Sequence, residues 1–467
     1  MRTSEQQIRI HKFAGEDMQE TPSQPPVMPL SEFLPALFRA LDGEGVHFCV
    51  LRNYEGFPAY NAGRDVDFLI RASDLPLIIR TLRSIRGIRI VGYSERSYVA
   101  SVFLEGISST PKSRALQVDF DLSLTWKGLV YLPGEAVLQA AIPRPAGNST
   151  FFVPSPVHEA ITSLLTSLII GGSLKEKYFP QVQRTFASKR YGVIAALSPQ
   201  FGAKTATRLA DAVIGGDREK VHGCVRALRT SLVLHNLVRS PFRSALAVVR
   251  HYASEIAIRY SPKTLETVCI LSPGNCDETT IIEALMPILQ FSAVTVEKRY
   301  FWPQLSLWRD PSERNAYADR EAGTRESLLV SMAKIVRWML GEWISQLQKN
   351  LTLRVVEGHS YDLIIGEEWL CYGIPKWFAR LVGRLLPTPD LWILLDQAAE
   401  GVQSRNHEVL SAQTLRQLEA CRSFVKTRNR YVILGVGKPA ASVTEDAYSA
   451  IIDMLVQRTD RRLKNRF

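Results

Sequence analysis

The chain has 467 residues, of which 46% are hydrophobic and 22% are charged, and its formal net charge is +11. This composition is typical of a globular protein of two or three domains. No apolar run reaches the length of a membrane span, and the first residues lack the apolar stretch of a signal peptide. The positive charge favours contact with a nucleotide, a nucleic acid or a membrane surface, although solubility alone explains it equally well.

The six cysteines are scattered along the chain and form no C-x-x-C pair. This spacing predicts reduced, mostly buried thiols rather than disulfides or a zinc site. We therefore expect a cytoplasmic protein.

Residues 1–28 are polar and end in a proline-rich stretch, which predicts a mobile tail. Residues 29–150 predict a small mixed α/β domain. One helix is expected after the N-cap Ser31, and a second from Leu75 to Arg86. Strands are predicted at "VHFCVL", "VDFLI", "RIVGY", "YVASVFL" and "ALQVDFDLSL".

Residues 151–264 have helical periodicity and predict a helical domain. Within it, the segment 226–263 carries seven basic residues against one acid, with apolar residues at helical spacing. A basic amphipathic helix can lie on an anionic membrane surface, here the inner membrane. We favour the alternative, in which the helix packs its apolar face inward and leaves its basic face in solvent.

Residues 265–467 alternate strands with helices, which predicts a parallel sheet covered on both faces. The predicted strands are "TVCIL", "SAVTVE", "YDLIIG", "LWILLD" and "RYVILG". The predicted helices run from 280 to 289, 326 to 347, 376 to 386, 412 to 426 and 442 to 458. The chain is therefore predicted to be an α/β protein.

Two strands of the first domain carry paired carboxylates. Asp65 and Asp67 in "GRDVDFLI" are two residues apart, so both side chains leave the same face of the strand. Asp119 and Asp121 in "LQVDFDLS" are placed in the same way. Carboxylates held this close repel each other unless a cation lies between them, and Mg²⁺ prefers oxygen ligands. The pattern predicts a Mg²⁺ site that binds substrate phosphates; the alternative is an acidic strand edge in solvent.

This arrangement resembles the nucleotidyltransferase superfamily to which DNA polymerase beta belongs. In that family a turn of small residues is followed by D-x-D and by a third Asp on a later strand. The resemblance implies that Asp65, Asp67 and Asp119 are catalytic metal ligands, with Asp121 as the alternative third carboxylate.

The turn before the first pair departs from the family pattern, since it reads "LRNYE" at residues 51–55. Asn53 tolerates the left-handed backbone that such a turn needs. We expect Arg52, Asn53 and Arg64 to bind the nucleotide or its phosphates, and the guanidinium groups of the two arginines match phosphate geometry.

The segment "ILSPGNCDETTII" has the layout of a strand, a phosphate-binding loop and a helix. When Thr279 is placed at the final hydroxyl position of G-x-x-x-x-G-K-[ST], Glu278 falls at the lysine position and Asp277 at the second glycine. Thr279 and its neighbour Thr280 are the candidate phosphate contacts. The two carboxylates oppose anion binding at this loop.

The segment 385–424 resembles the C-terminal half of thymidylate-kinase-like proteins, with "PTPD" before a strand and "RNHE" at the lid. The resemblance covers most of residues 265–467 and implies a P-loop kinase fold with Arg405 as a phosphate contact. The Asp-Arg pair of that family is expected at Gly366 and Glu367, where it is missing. We therefore predict that this domain keeps the kinase architecture without transferring phosphoryl groups.

In the order of its elements, the chain resembles bacterial proteins of surface-polysaccharide synthesis that are often labelled thymidylate kinases. The resemblance implies a nucleotide or sugar-phosphate substrate, Mg²⁺ as a cofactor and polysaccharide enzymes as partners; no nucleic-acid partner is predicted. Three hypotheses stay open. They are a Mg²⁺-dependent nucleotidyl or phosphoryl-type transferase, a non-catalytic scaffold or regulator and, ranked lowest, an active dTMP kinase.

Overall fold

The structure is a computed structural model that describes residues 27–61, 65–110, 113–259, 265–272, 278–290, 292–300, 328–347, 351–358, 375–396 and 412–467. These residues form two compact units, one of residues 27–258 with 458–467 and one of residues 259–457. The division into three domains stays a prediction. The four described cysteines that carry free thiols, Cys49, Cys224, Cys269 and Cys421, are all buried, as predicted.

A mixed six-stranded sheet forms the centre of the first unit, in the order β1-β5-β6-β3-β2, with β4 also paired to β5. Its strands are β1 (Met28–Pro29), β2 (Phe48–Val50), β3 (Asp65–Ile70), β4 (Arg89–Glu95), β5 (Val99–Thr110) and β6 (Ser113–Asp121). β3 runs parallel to β6 and antiparallel to β2.

One face of this sheet is covered by α1 (Leu30–Gly43) and α2 (Leu75–Ser84). Phe38 of α1 stacks on Phe48 of β2, with ring centroids 5.7 Å apart. Val66 and Phe68 of β3 point into the same core. Because side chains alternate along a strand, the aspartates of β3 point to the opposite face.

The second core of this unit joins residues of the sheet to a helical layer. Its elements are β7 (Leu124–Trp126), β8 (Leu129–Leu132), α3 (Gly134–Gln139), α4 (Pro156–Leu165), a π-helical turn (Thr166–Ile170), α5 (Phe179–Ser188), α6 (Arg190–Phe201), α7 (Ala203–Ile214), α8 (Arg218–Arg239) and α9 (Pro241–Arg259). The antiparallel pair of β9 (Ile142–Ala146) and β10 (Ser149–Val153) packs instead in the first core, through Ala146, Phe151 and Val153. Leu69 of β3 packs in this core. The layer therefore lies on the face of the sheet that carries the aspartates.

The predicted inward packing of the basic amphipathic segment is confirmed for α8 as far as Leu232 and wrong for the end of α8 and for most of α9. α8 buries Cys224, Leu228 and Leu232. α9 instead leaves Phe242 and Leu246 exposed. The inner face of α9 places Val248 against the second core and also meets Arg96, Ser97 and Tyr98 of the β4–β5 turn. The other apolar side chains of α9 named here are therefore left in solvent.

The second unit contains a five-stranded parallel sheet in the order β12-β13-β11-β14-β15. Its strands are β11 (Leu265–Leu271), β12 (Thr295–Tyr300), β13 (Thr352–Glu357), β14 (Leu391–Asp396) and β15 (Tyr431–Gly435). The described helices of this part are α10 (Glu278–Leu289), α11 (Leu328–Leu347), α12 (Lys376–Leu385), α13 (Ala412–Lys426) and α14 (Ala440–Lys464), whose residues from 458 onward cluster with the first unit.

The α/β class and the parallel sheet are confirmed. β13 was not predicted from the sequence, while the predicted strand "YDLIIG" lies outside the described residues. β13 contains Arg354, which is 2% exposed and pairs with Glu297 of β12 at 2.7 Å and Glu342 of α11 at 3.2 Å. Buried strands of a parallel sheet usually have apolar sequences, so the charged residues of β13 prevented its prediction from the sequence.

Candidate functional site

Three carboxylates converge on the face of the first sheet that turns away from α1 and α2. In the parallel pair of β3 and β6, Asp67 lies opposite Asp119 and Asp65 lies opposite Gln117. One carboxylate oxygen from each of Asp65, Asp67 and Asp119 lies within 4.8 Å of the others. The structure thus brings together the three residues that the sequence singled out as metal ligands.

Arg52 lies in the turn after β2 and forms a two-pronged ion pair with Asp67. Its Nε lies 2.5 Å from Oδ2 and its Nη2 lies 2.9 Å from Oδ1. Burial alone would lower the pKa of the Arg52 guanidinium, but the hydrogen bonds and charge of Asp67, with the charges of Asp65 and Asp121, raise it overall. The sequence predicted a phosphate contact for Arg52; in the structure its partner is a site carboxylate.

The pKa values of Asp65, Asp119 and the neighbouring Asp121 are all raised. Burial, followed by the charge of Asp67, raises the pKa of Asp65. Burial and the charges of Asp67 and Asp65 raise the pKa of Asp119 to about 6, against hydrogen bonds from Ser101 and Gln117. The pKa of Asp121 is raised well above its usual range by burial and then by Asp67 and Asp119. The site therefore concentrates negative charge, which Arg52 and, at Asp65, Lys175 offset in part.

Hydrogen bonds hold Asp119 in place. Nε2 of Gln117, two residues earlier on β6, lies 3.1 Å from each Asp119 carboxylate oxygen. Ser101 of β5, which pairs with Asp119 across the sheet, also bonds to it. Asp119 is thus fixed from its own strand and from the neighbouring one.

A cavity of about 200 Å³ lies beside the cluster, with Arg52, Asp67, Asp119 and Asp121 in its lining. Much of the remaining lining carries hydroxyl groups, from Ser123, Thr125, Tyr131, Thr162, Ser163 and Thr166. The Thr125 hydroxyl oxygen is buried and has no hydrogen-bond partner among the described residues. A buried hydroxyl without a partner costs about 1–3 kcal/mol, so a polar ligand in the cavity would be stabilised there.

The hydroxyl-rich lining was not predicted from the sequence. Apart from Ser123, its residues come from β7, β8, α4 and the π-helical turn, which follow the aspartates by up to about a hundred positions. Asp121 was considered only as an alternative metal ligand. The metal-ligand cluster contains Asp119, whereas Asp121 lines the cavity. The alternation of side chains along β6 predicts that Asp119 and Asp121 lie on one face of the sheet, but it does not predict which of the two joins the metal-ligand cluster.

The turn that carries Arg52 has the left-handed backbone predicted for it. Asn53 has φ +57°. Its side-chain oxygen accepts a hydrogen bond from the Tyr178 hydroxyl at 3.0 Å and lies 3.4 Å from the Lys177 ammonium. The structure therefore places Asn53 in a contact that fixes the turn.

The donor set of the cluster fits a hard divalent cation. Asp65, Asp67 and Asp119 offer the oxygen ligands that Mg²⁺ prefers. Burial and, after it, the charge of neighbouring carboxylates raise the pKa values of Asp65 and Asp119, and a cation would offset that charge. Arg52 would compete with a cation for Asp67, but a carboxylate oxygen can accept a hydrogen bond and bind a cation at the same time. We conclude that these residues fit Mg²⁺.

The carboxyl ends of the parallel strands in the second unit also carry acidic groups. Glu357 ends β13 and is 2% exposed. It accepts a hydrogen bond from the Thr279 hydroxyl at 3.0 Å and lies 3.3 Å from the Lys298 ammonium. Thr280 is exposed, and Glu278 begins α10. Glu357 was not predicted as a site residue, because β13 was not predicted from the sequence.

A second acid at this edge, Asp396 at the end of β14, forms a two-pronged ion pair with Arg422, with both N–O distances 2.7 Å. The predicted phosphate contacts Arg64 and Arg405 lie outside the described residues. So do Gly366 and Glu367.

No family model matches the sequence, and no curated protein matches it. Among solved structures, the chain is similar to the crystal structure of NadR protein in complex with NAD and AMP-PNP, with 11% identity and a TM-score of 0.27. The match covers 47% of this chain and 58% of that chain. This likeness is too distant to carry an argument about the function of this chain.

In the part of the chain that the structure describes, no helix is both long enough and apolar enough to cross a bilayer.

Proposed function

We propose that the first unit is a Mg²⁺-dependent transferase of nucleotidyl or other phosphoryl-type groups, with a fold of the nucleotidyltransferase type. The observation that carries the proposal is the convergence of Asp65, Asp67 and Asp119 within 4.8 Å beside a cavity. Mg²⁺ held there would grip the phosphates of the donor and offset the charge that develops during transfer.

The cavity is the proposed acceptor site. Pockets for drug-sized ligands measure about 300–1,000 Å³, so a cavity of about 200 Å³ takes a smaller group than a whole nucleotide. Its hydroxyl-rich lining suits a polar acceptor that itself carries hydroxyl groups. An acceptor hydroxyl would attack the donor phosphorus, forming a phosphate ester and releasing pyrophosphate and a proton. Asp121 would accept the hydrogen bond of that hydroxyl and orient it.

Arg52 has two roles in this proposal. In the structure it neutralises Asp67. When the donor binds, its planar guanidinium can turn to the phosphate oxygens, which it matches as well as it matches a carboxylate. Arg52 thus replaces the small residues that the family has in this turn with a charged phosphate contact.

For the second unit we propose a P-loop-kinase-like fold that does not transfer phosphoryl groups. Glu278 and Glu357 support this, since acids at the carboxyl ends of parallel strands oppose a phosphate there. We also propose a role in surface-polysaccharide synthesis, which depends on the sequence resemblance alone.

The test is calorimetric binding of nucleoside triphosphates with and without Mg²⁺. The wild type is compared with Asp65→Asn and Asp119→Asn, and with the control Asp42→Asn, which makes the same substitution at an exposed position of α1. We expect Mg²⁺-dependent binding in the wild type and the control, and binding weaker by at least about tenfold in the two site variants. Equal binding in all four proteins would exclude the proposed site.

A non-catalytic scaffold is the second candidate, and the Arg52–Asp67 ion pair favours it because it satisfies Asp67 without a metal. It predicts no nucleotide binding to the wild type under any condition. An active dTMP kinase ranks third, and phosphorylation of dTMP by the purified protein that survives Asp65→Asn would establish it.

A further inference from the structure

α9 presents an apolar stripe to solvent. Phe242, Leu246, Val249 and Ile256 are spaced at three, four and seven residues, which places them on one side of the helix. Phe242 is 89% exposed, and the other three are also exposed. The end of α8 adds Val238, which is 85% exposed, beside Leu234 and Leu237. A contiguous exposed apolar surface of this kind marks an interaction site.

The opposite side of α9 is polar and faces the body of the first unit. Nδ1 of His251 lies 3.5 Å from the Ser97 hydroxyl, and its ring lies against Tyr98. The Glu255 carboxylate lies 3.5 Å from the Arg96 guanidinium. Apart from Val248, which packs against the second core, the helix is attached through polar contacts. Its apolar stripe faces outward, whereas an ordinary surface helix turns its apolar side to the core.

The charges beside the stripe are positive. Arg243 and Arg250 each follow a stripe residue by one position, which places both on the same flank, and both are exposed. Neither forms an ion pair within the described residues. Glu255, the acid of this helix, is directed inward to Arg96. An apolar stripe flanked by arginines matches an anionic lipid surface, with the stripe at the acyl boundary and the arginines at the headgroups.

A second copy of the chain matches this surface less well. The stripe has the spacing of a coiled-coil seam, but it spans only two heptads, and stable seams usually run for three or four. Coiled-coil partners also pair opposite charges beside the seam. Here the flanking charges are Arg243 and Arg250, so a second copy would supply no acid to meet them.

We propose that α9, with the end of α8, binds the surface of an anionic lipid bilayer and lies in its interfacial plane. This proposal is independent of the proposed transferase activity. It concerns where the first unit works, whereas the site on the sheet concerns what it does.

The test is co-sedimentation of the full chain with vesicles of phosphatidylglycerol mixed with phosphatidylcholine, and with vesicles of phosphatidylcholine alone. A double variant, Phe242→Asp with Leu246→Asp, removes the centre of the stripe at exposed positions. The matched control is Tyr191→Asp, which changes an aromatic residue of α6 that is 84% exposed. A third protein, Arg243→Gln with Arg250→Gln, removes the flanking charges. Circular dichroism of each variant checks that the helices are retained.

We expect the wild type and Tyr191→Asp to bind the vesicles that contain phosphatidylglycerol and not those of phosphatidylcholine alone, and we expect salt to weaken that binding. The stripe variant should not bind, and loss of the two arginines should weaken partitioning by roughly thirtyfold, about fivefold for each charge. Failure of the wild type to bind, or equal binding by the stripe variant, overturns the proposal. So does sedimentation of the wild type as a dimer that the stripe variant converts to a monomer, since the partner is then a second copy.

Discussion

Arg52 covers both carboxylate oxygens of Asp67, with N–O distances of 2.5 and 2.9 Å, beside the carboxylates of Asp65 and Asp119. The pair joins a turn residue to the centre of β3. Asp67 is 3% exposed, so its charge needs a partner whether or not a cation is bound.

The first prediction follows from this pair. Arg52→Gln leaves the buried Asp67 charge without its partner, and because the Arg52 side chain is 29% exposed, we expect a loss of about 2 kcal/mol rather than the full cost of breaking a buried pair. Thermal unfolding should show a midpoint lower by roughly 4–8 °C. Added Mg²⁺ should recover part of the loss in the variant and have less effect on the wild type.

The control is Arg71→Gln, which breaks a two-pronged pair with Glu135 at an exposed place on the same unit. It should change the midpoint little, since exposed pairs contribute little. Equal losses in the two variants would mean that the Arg52–Asp67 pair contributes no more to the stability of the protein than an exposed ion pair.

The second prediction concerns the cavity. Ser163→Leu adds an apolar side chain to the hydroxyl-rich lining and should block the acceptor while the cluster at Asp65 stays intact. Binding of a nucleoside triphosphate with Mg²⁺ should therefore persist in calorimetry, while transfer to an acceptor falls at least about tenfold. Ser163→Ala keeps the space free and is the control. Full transfer by Ser163→Leu would show that the acceptor binds elsewhere.

The third prediction tests how α9 is seated. Gly128 has φ +84°, and a Cβ placed there would lie 2.4 Å from the carbonyl oxygen of Ala247. Gly128→Ala should lower the unfolding midpoint through both backbone strain, about 1–2 kcal/mol, and this clash. Gly45→Ala carries the strain alone, because Gly45 has φ +67° and no atom within 4 Å of its Cβ position. Equal losses in the two variants would contradict a close approach of α9 at Gly128.

The fourth prediction concerns acid stability. Glu95 accepts hydrogen bonds from Arg466 at 2.7 and 3.0 Å and from the Tyr93 hydroxyl at 2.7 Å. Burial alone would raise the pKa of Glu95, but these bonds lower it overall. A carboxyl with a lowered pKa in the folded state stabilises the protein above its unfolded pKa, and this contribution is lost as pH falls through the folded value.

Below about pH 4.3, the ordinary glutamate value, the wild type should therefore lose stability more steeply than Glu95→Gln. Denaturant titrations across this range measure the difference. Glu44→Gln, at an exposed position after α1, should follow the wild-type curve. Parallel curves for wild type and Glu95→Gln would mean that the Arg466 contact does not persist in solution.

Much of the cluster at the sheet follows from local rules. The two-residue spacing of Asp65 and Asp67 fixed their shared face, and the apolar residues between them fixed which face is buried. Asn53 was expected to adopt a left-handed backbone, and it does. Such features depend on neighbours in sequence, so the sequence is sufficient to predict them.

Other parts of the site depend on contacts that no local pattern encodes. The partner of Arg52 is fifteen positions away, and the choice between Asp67 and a phosphate depends on side-chain reach in three dimensions. α9 was predicted to turn its apolar side inward, but its neighbours Ser97 and Arg96 come from a distant turn and select its polar side. Tertiary contacts overrode the amphipathic pattern in that case.

The charged contact inside the second sheet has a consequence for how its edge is assembled. Glu297 of β12, the outermost strand on its side of the sheet among those that the structure describes, lies directly opposite Arg354 of β13. A slip of one residue would reverse the faces of every side chain of β12 and leave the guanidinium buried without its acid. The pair therefore selects one alignment of β12 during folding. An outer strand is the part of a sheet most exposed to mispairing with other chains, and any strand that replaced β12 without an acid at this position would leave Arg354 unpaired, at a cost in free energy.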